Sequence, residues 1–304
     1  MGPLVSVLIP TFNRPDLLPK AINSALLQSY NNIEVIVSDN SSTTETEEVV
    51  SRIVDPRLSY SRSKDIGLVP NWRKLLNRAK GEYCLIISDD DFFINPFYIE
   101  SAVAIAQRYA VKLVIPDCVL AKPNKKSIGS SGYSGLIDGK LFVERFWKSF
   151  YVPSSVNLFD RSAALDYDAF LSNETLYPDI ELWLKFMSFG NVYCYDVPSV
   201  YYLFHENNLV MNMSTSALLG NSKFIRRSVS SFASEELICE LVCRYVLFVD
   251  GLYRLVDYAF IKSVFRESGV RANPAALLLK CRCVRAKVYL KDAVKGIIKW
   301  NRAR

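Results

Sequence analysis

The chain has 304 residues, half of them hydrophobic, which is enough for one large domain with an appendage, or for two, and excludes global disorder. Seven cysteines, an odd number with no Cys-x-x-Cys pair, argue against a disulfide framework or a zinc site, and the single histidine excludes zinc sites that need two. The formal charge of +6 is uneven: from Lys262 onward twelve Lys or Arg face only Glu267 and Asp292, so the remainder is net acidic and nucleic acid is not an expected partner.

Met1 to Ile9, followed by Pro10, is too short and lacks the basic start of a signal peptide, so a cytoplasmic location is expected. Val5–Ile9 reads as a strand, Pro10–Asp16 as a loop and Leu17–Gln28 as an amphipathic helix. Ile33–Val37 repeats the strand, and Ser38-Asp39-Asn40-Ser41-Ser42 closes a turn before a helix starting near Thr44. Leu58–Ser61 is a third strand candidate, Lys64–Asn71 a loop, and Trp72–Ala79 a helix stopped by Gly81. Strands alternating with helices at this spacing predict βαβ units and a largely parallel sheet, whose ligands gather at the carboxyl ends of the strands.

Tyr83–Ser88 is the next strand, and it empties into Asp89-Asp90-Asp91. Adjacent carboxylates repel, so a divalent metal or hydrogen-bond donors should offset the cost. The plainer reading is an acidic turn in which Asp91 or Asn95 caps the next helix ahead of Pro96. Thr11 and Asn13, Asp39, and Asp89 to Asp91 all follow strands and are expected on one sheet edge. The chain lacks Gly-x-Gly-x-x-Gly and a P-loop, so neither a dinucleotide fold nor a P-loop ATPase is supported.

Further on, Ile99–Tyr109 reads as a helix, Lys112–Pro116 as a strand, Lys122–Gly135 as a mobile surface loop and Phe142–Tyr151 as an aromatic, basic helix. Tyr177–Phe186 opens an apolar helix with Asp179 in its first turn, and Tyr201–Asn208 carries His205. Leu241–Phe265 is interrupted by Arg244, Asp250, Arg254 and Asp257, so it reads as a buried helix pair and not a membrane span. Asn273-Pro274 opens a predicted helix to about Trp300, with Leu279, Cys283, Ala286, Leu290, Ala293, Val294 and Ile297 on one side and Lys291, Lys295, Lys299 and Arg302 on another. Two readings stay open for that tail: contact with an anionic membrane surface, peripheral on the inner face of the cytoplasmic membrane, or packing on its own domain.

The run Val5 to Arg14, then Ile36 to Ser42, then Asn71-Trp72 with Ala79, Gly81, Glu82 and Tyr83 ahead of Ser88-Asp89-Asp90-Asp91, resembles family 2 glycosyltransferases of the GT-A fold, bacterial surface-polysaccharide type. The match runs through about residue 100 and resumes near Tyr177 to His205. Five positions depart from the family pattern: Thr43 stands for an acid, Asp65 for Asn, Pro178 for the Glu of a Glu-Asp pair, and Leu203 and Phe204 for the usual basic residues before the histidine. The resemblance implies an α/β, Rossmann-like, mostly parallel sheet flanked by helices, with a C-terminal helical extension. It also implies a catalytic domain over residues 1–212, with a donor-binding half to about residue 100 and an acceptor half beyond, and a helical region over 213–304.

The resemblance further implies an inverting, metal-dependent glycosyltransferase. The expected donor is a nucleoside-diphosphate sugar, UDP first among the nucleotides, and the acceptor a hydroxyl of a cell-surface glycan or lipid-linked glycan. Pro10, Thr11, Phe12, Asn13, Arg14 and Asn71 would line the donor site, with Asp39 accepting from the base and Asp89 and Asp90 near the ribose or sugar. Asp91 and His205 would hold Mn²⁺ or Mg²⁺, which suit oxygen ligands. Asp179 would be the base that takes the acceptor's proton. Its alternative role is a helix N-terminal acid favoured by the dipole. A nucleotidyltransferase, which would want a glycine-rich loop after the first strand, and a non-catalytic nucleotide- or glycan-binding scaffold are the competing readings.

Overall fold

The computed structural model of the chain describes residues 2–64, 66–122, 124–144, 155–171, 177–205, 208, 214–253 and 258–270. Two compact units divide between Met213 and Ser214. In the first, β1 (Val5–Thr11) is buried at every position, as a Val- and Ile-rich run must be inside a sheet covered on both faces. It pairs in parallel with β2 (Ile33–Asp39) on one side and β4 (Tyr83–Ile86) on the other, and β2 pairs in parallel with β3 (Leu58–Arg62). The crossovers are α1 (Leu18–Leu26), α2 (Glu45–Val50) and α3 (Leu68–Arg78). Helix α1 buries Leu18, Ala21, Ile22 and Ala25, the three-and-four spacing of a single helical stripe laid on the sheet.

The chain continues through β5 (Phe92–Phe93), α4 (Tyr98–Tyr109), β6 (Leu113–Lys122), β7 (Lys125–Gly129), β8 (Gly135–Ile137), α5 (Gly139–Glu144), β9 (Leu158–Asp160), α6 (Arg161–Asp166), α7 (Pro178–Phe189) and β10 (Val192–Leu203). The sheet order is β3-β2-β1-β4-β9-β6-β10-β5, with β7 on β6 and β8 on β10. Strand β9 runs antiparallel to both β4 and β6, whereas β10 is parallel to β6. The parallel character is therefore concentrated in β3-β2-β1-β4, whose carboxyl ends all open on one edge.

Three expectations are corrected. The stretch Lys122–Gly135 holds β7, paired antiparallel with β6 from Cys118↔Gly129 to Lys122↔Lys125. Its exposed lysines suit an edge strand, where charge blocks further pairing, so a low apolar content marked an edge and not a loop. Helix α3 begins at Leu68, behind Gly67 at φ 88°, which places Pro70 and Asn71 inside its first turn. Gly81 does not cap α3, which has already ended at Arg78; it serves the approach to β1. A Cβ there would come within 2.7 Å of Ser6 N, Ser6 Oγ and Tyr83 O. The predicted helix at 273–300, the second half of the predicted helix at Phe142–Tyr151, and Asp65 lie outside the described residues.

The second unit holds α8 (Thr215–Val229), α9 (Glu235–Tyr253) and α10 (Tyr258–Glu267), so the expected late helix pair is present as α9 and α10. Leu218, Phe224, Ile225, Leu241, Val242, Tyr245 and Val264 are buried, and the Tyr245 hydroxyl donates to Leu218 O at 2.6 Å. Among the described residues no helix is long and apolar enough to cross a membrane.

Gly81→Ala is expected to cost about 1–3 kcal/mol through overpacking against β1 and to lower the thermal midpoint followed by circular dichroism. An unchanged midpoint would mean that the junction with β1 yields freely.

Candidate active site

Register brings the strand exits together. Thr11 lies opposite Asp39 at the end of the β1–β2 ladder, and Ile87 N donates to Leu8 O at 3.0 Å, which carries the β4 chain past its last paired residue to the same edge. The acidic turn that follows is closed by Asp91 N donating to Ser88 O at 3.1 Å. All three of its aspartates are buried.

Each aspartate has its own set of donors. Asp89 accepts from Thr11 Oγ1 at 2.8 Å and Phe12 N at 3.3 Å on one oxygen, and from Arg14 Nη1 at 2.8 Å on the other. Asp90 Oδ2 takes Arg14 Nη1 at 2.7 Å, His205 Nε2 at 2.9 Å and Asn208 Nδ2 at 3.2 Å. An ionised carboxylate only accepts, so Nε2 is the protonated nitrogen of that imidazole in this network. Asp91 accepts from Ser155 Oγ at 2.5 Å and from Leu203 N at 3.2 Å.

The electrostatics follow from burial. Loss of water, then the charge on Asp90, push the Asp91 carboxyl well above the usual range against the pull of Ser155 and Leu203 N. Burial also raises Asp89, opposed chiefly by the charge of Arg14. Burial acts to lower Arg14, but the charges and hydrogen bonds of Asp89 and Asp90 outweigh it and hold the guanidinium up.

A second network lies beside the first. Asn13 adopts φ 54°, a left-handed conformation that Asn tolerates, and is fixed by Ser42 N at 2.9 Å and Ser42 Oγ at 3.0 Å donating to its Oδ1, while its own N donates to Ser41 Oγ at 2.8 Å. Asp39 accepts from Ser41 N at 2.7 Å and from the Tyr60 hydroxyl at 2.6 Å. That hydroxyl's pKa is raised by burial and then by its bond to Asp39. Asn71 is buried, accepting from Ser38 Oγ at 2.7 Å and donating to Ser38 O at 2.9 Å, so its amide ties α3 to the exit of β2. Pro10 is buried opposite Ser38, and Phe12 stands out at 49 % exposure.

Thus Thr11, Phe12, Arg14, Asp89, Asp90 and His205 share one hydrogen-bonded network, and Asn13, Asp39 and Asn71 surround the adjoining strand exit. Asp179 stands apart, with no hydrogen bond to the aspartates of the turn among the described residues. Its carboxyl is buried in the first turn of α7, and that burial, opposed by local backbone N–H groups, pushes its pKa up to about 6. Glu181 one turn-fraction on is 3.3 Å from Lys185 Nζ in an ion pair. Ser155, Tyr60 and Asn208 are polar partners of the site with no distinguishing pattern in the sequence: Ser155 precedes the short β9, and each contributes one side-chain group that only the tertiary fold aims.

Three carboxylates and an imidazole are an oxygen-rich set whose chemistry fits Mn²⁺ or Mg²⁺. As arranged, no three His, Cys, Asp or Glu groups among the described residues converge at metal-holding spacing. Arg14 lies on two of the carboxylates instead.

Comparison with known proteins places this geometry in a family. Residues 6–168 match the model of glycosyl transferase family 2. A GalNAc(5)-diNAcBac-PP-undecaprenol beta-1,3-glucosyltransferase of Campylobacter jejuni subsp. jejuni serotype O:2 is 25% identical over 291 residues, covering 91% of this chain and 92% of that protein. Among solved structures, S. aureus TarS 1-349 superposes with a TM-score of 0.69 at 15% identity over 91% of this chain and 83% of that one, and it has also been solved with UDP-GlcNAc, where the TM-score is 0.68 over 87% and 82%. The mannosyltransferase PcManGT from Pyrobaculum calidifontis, in complex with GDP-Man and Mn²⁺, gives 0.56 at 17% identity over 94% and 81%. These likenesses show the GT-A fold. With its family match spanning just over half of the sequence and including Thr11, Arg14, Asp39 and Asp89 to Asp91, the chain belongs to glycosyl transferase family 2 and is a glycosyltransferase.

Proposed function

We propose that the protein is an inverting, metal-dependent glycosyltransferase that moves a sugar from a UDP-sugar to a hydroxyl of a lipid-linked or cell-surface glycan. The observation that carries this reading is the shared network of Thr11, Arg14, Asp89, Asp90 and His205 beside the Thr11–Asp39 strand exit. Membership of the family argues against the nucleotidyltransferase alternative.

Asp39, oriented by Ser41 N and Tyr60, accepts the N3–H of uracil. Pro10, Phe12 and Asn13 shape the nucleoside pocket, Asn71 holds the exit of β2, and Arg14, Asp89 and Asp90 meet the ribose, diphosphate and sugar. Asp91 and His205 would hold the metal, which when bound supplies positive charge to the departing diphosphate. The acceptor oxygen attacks the anomeric carbon from the face opposite the diphosphate, the bond from that carbon to the diphosphate oxygen breaks, and UDP leaves with the electron pair. The acceptor's proton passes to Asp179, whose carboxyl at about 6 is ionised yet basic enough at neutral pH. The lipid-linked acceptor is supported by the name of the Campylobacter relative, and the surplus of Lys and Arg after Lys262 suits an anionic membrane surface beside it.

Replacing Asp179 by Asn is expected to lower kcat about 10²- to 10⁴-fold and to abolish an acid limb in kcat/KM that otherwise falls off below about pH 6. Transfer at the parent rate would remove Asp179 as base, and a product that keeps the donor's anomeric configuration by NMR would remove inversion. The stability signature has its own sign. The folded carboxyl holds its proton up to about 6 against 3.8 unfolded, so the parent loses stability as pH rises through that window. Melting curves of Asp179→Asn should lack this loss. A role as a dipole-favoured helix acid predicts the opposite, a less stable variant at neutral pH.

Asp39→Asn should weaken UDP binding by about 10- to 100-fold, the loss of a hydrogen bond to a charged acceptor, and shrink the preference for UDP over CDP measured by calorimetry. Cytosine has no N3–H to lose. An unchanged UDP/CDP ratio would rule out Asp39 as the group that reads the base.

A further inference from the structure

The acidic pair Asp89 and Asp90 is already held by the protein's own donors. Asp90 Oδ2 accepts from Arg14, His205 and Asn208 at 2.7, 2.9 and 3.2 Å, and Asp89 accepts from Thr11 and Phe12 N on one oxygen and Arg14 on the other. A single guanidinium nitrogen, Arg14 Nη1, therefore bridges the two carboxylates. Its side chain is 24% exposed against 6% for each aspartate. A divalent cation held by Asp91 and His205 would stand beside that guanidinium, and the two positive groups repel.

We propose that Arg14 is a built-in counter-ion that occupies the acidic pair until the donor arrives, so that the divalent cation binds tightly only together with the nucleotide diphosphate. This rests on the donor-site reading above. The diphosphate is the one incoming group that offers the guanidinium a replacement partner: its oxygens accept the planar N–H fork as well as a carboxylate does. Transfer of Arg14 from Asp89 and Asp90 to the diphosphate removes its positive charge from the acidic turn, so that the turn's negative charge is left to attract the cation as the donor arrives. The same exchange spares the protein a buried, uncompensated acidic pair in the absence of ligand, since Arg14 stays on it whenever neither cation nor donor is present. Thr11 stays on Asp89 and Asn208 on Asp90 throughout, and both keep the turn in place.

The test is Mn²⁺ binding by electron paramagnetic resonance titration, with and without UDP, on the full chain carrying Arg14 and on Arg14→Ala. The parent should bind Mn²⁺ weakly alone and at least about tenfold more tightly with UDP, and Arg14→Ala should bind Mn²⁺ alone at least about tenfold more tightly than the parent, the scale of one displaced charge contact. Arg14→Lys, which keeps the charge but loses the fork, should fall between the two, and guards against a misfolded alanine variant. Melting curves give a second readout: Mn²⁺ without nucleotide should raise the midpoint of Arg14→Ala and leave the parent's unmoved. UDP-dependent Mn²⁺ binding by the parent with no gain in either variant overturns the role of Arg14 alone. No Mn²⁺ bound by any of the three proteins, even with UDP, overturns the donor-site reading and this inference with it.

Discussion

Three consecutive carboxylates held almost out of water repel one another and lose their hydration, and the strand exits of this sheet are arranged around relieving that cost. Thr11, Phe12 N and Arg14 come from the end of β1, His205 and Asn208 from beyond β10, and Ser155 from the approach to β9. Each contact is a tether as well as a neutralising group. The turn after β4 is thus tied to strands far apart in sequence, and the edge where a nucleotide sugar would lie is rigid because the acids there need partners from every side.

The parallel half of the fold was readable because its signals are local. Val5–Ile9, Ile33–Val37 and Tyr83–Ser88 are apolar runs ending in polar turns, and the stripe Leu18, Ala21, Ile22, Ala25 repeats at helical spacing. Strand β7 was hidden because an edge strand has no apolar face to display, and β9 because three residues carry no period. Within the site, Thr11, Arg14, Asp89, Asp90 and His205 could be named from their positions after strands and from a family pattern, whereas the bridge from Arg14 to two aspartates could not. Nothing in the spacing says which way a guanidinium turns. Ser155, Tyr60 and Asn208 were out of reach for the same reason: each supplies one ordinary polar group whose meaning is its tertiary neighbour.

Two kinds of raised carboxyl coexist in the chain, and their causes separate their roles. Asp91 is raised by burial and by the like charge of Asp90, a condition that an added cation relieves. Asp179 is raised by burial with no charged neighbour contributing, a condition that favours taking and returning a proton near neutral pH. Under the proposed mechanism the same residue type would hold the cation in one place and take a proton in another, and the environment makes the difference.

On the proposed reading, the carboxyl edge of β1, β2 and β4 is a UDP-sugar site completed by a divalent cation. Thermal shifts with UDP-, GDP-, TDP- and CDP-sugars, each with and without Mn²⁺, test it most directly. A UDP-sugar with Mn²⁺ is expected to raise the midpoint most, and by more than either component alone. Stabilisation by none of the sugars, at concentrations far above plausible dissociation constants, would contradict it.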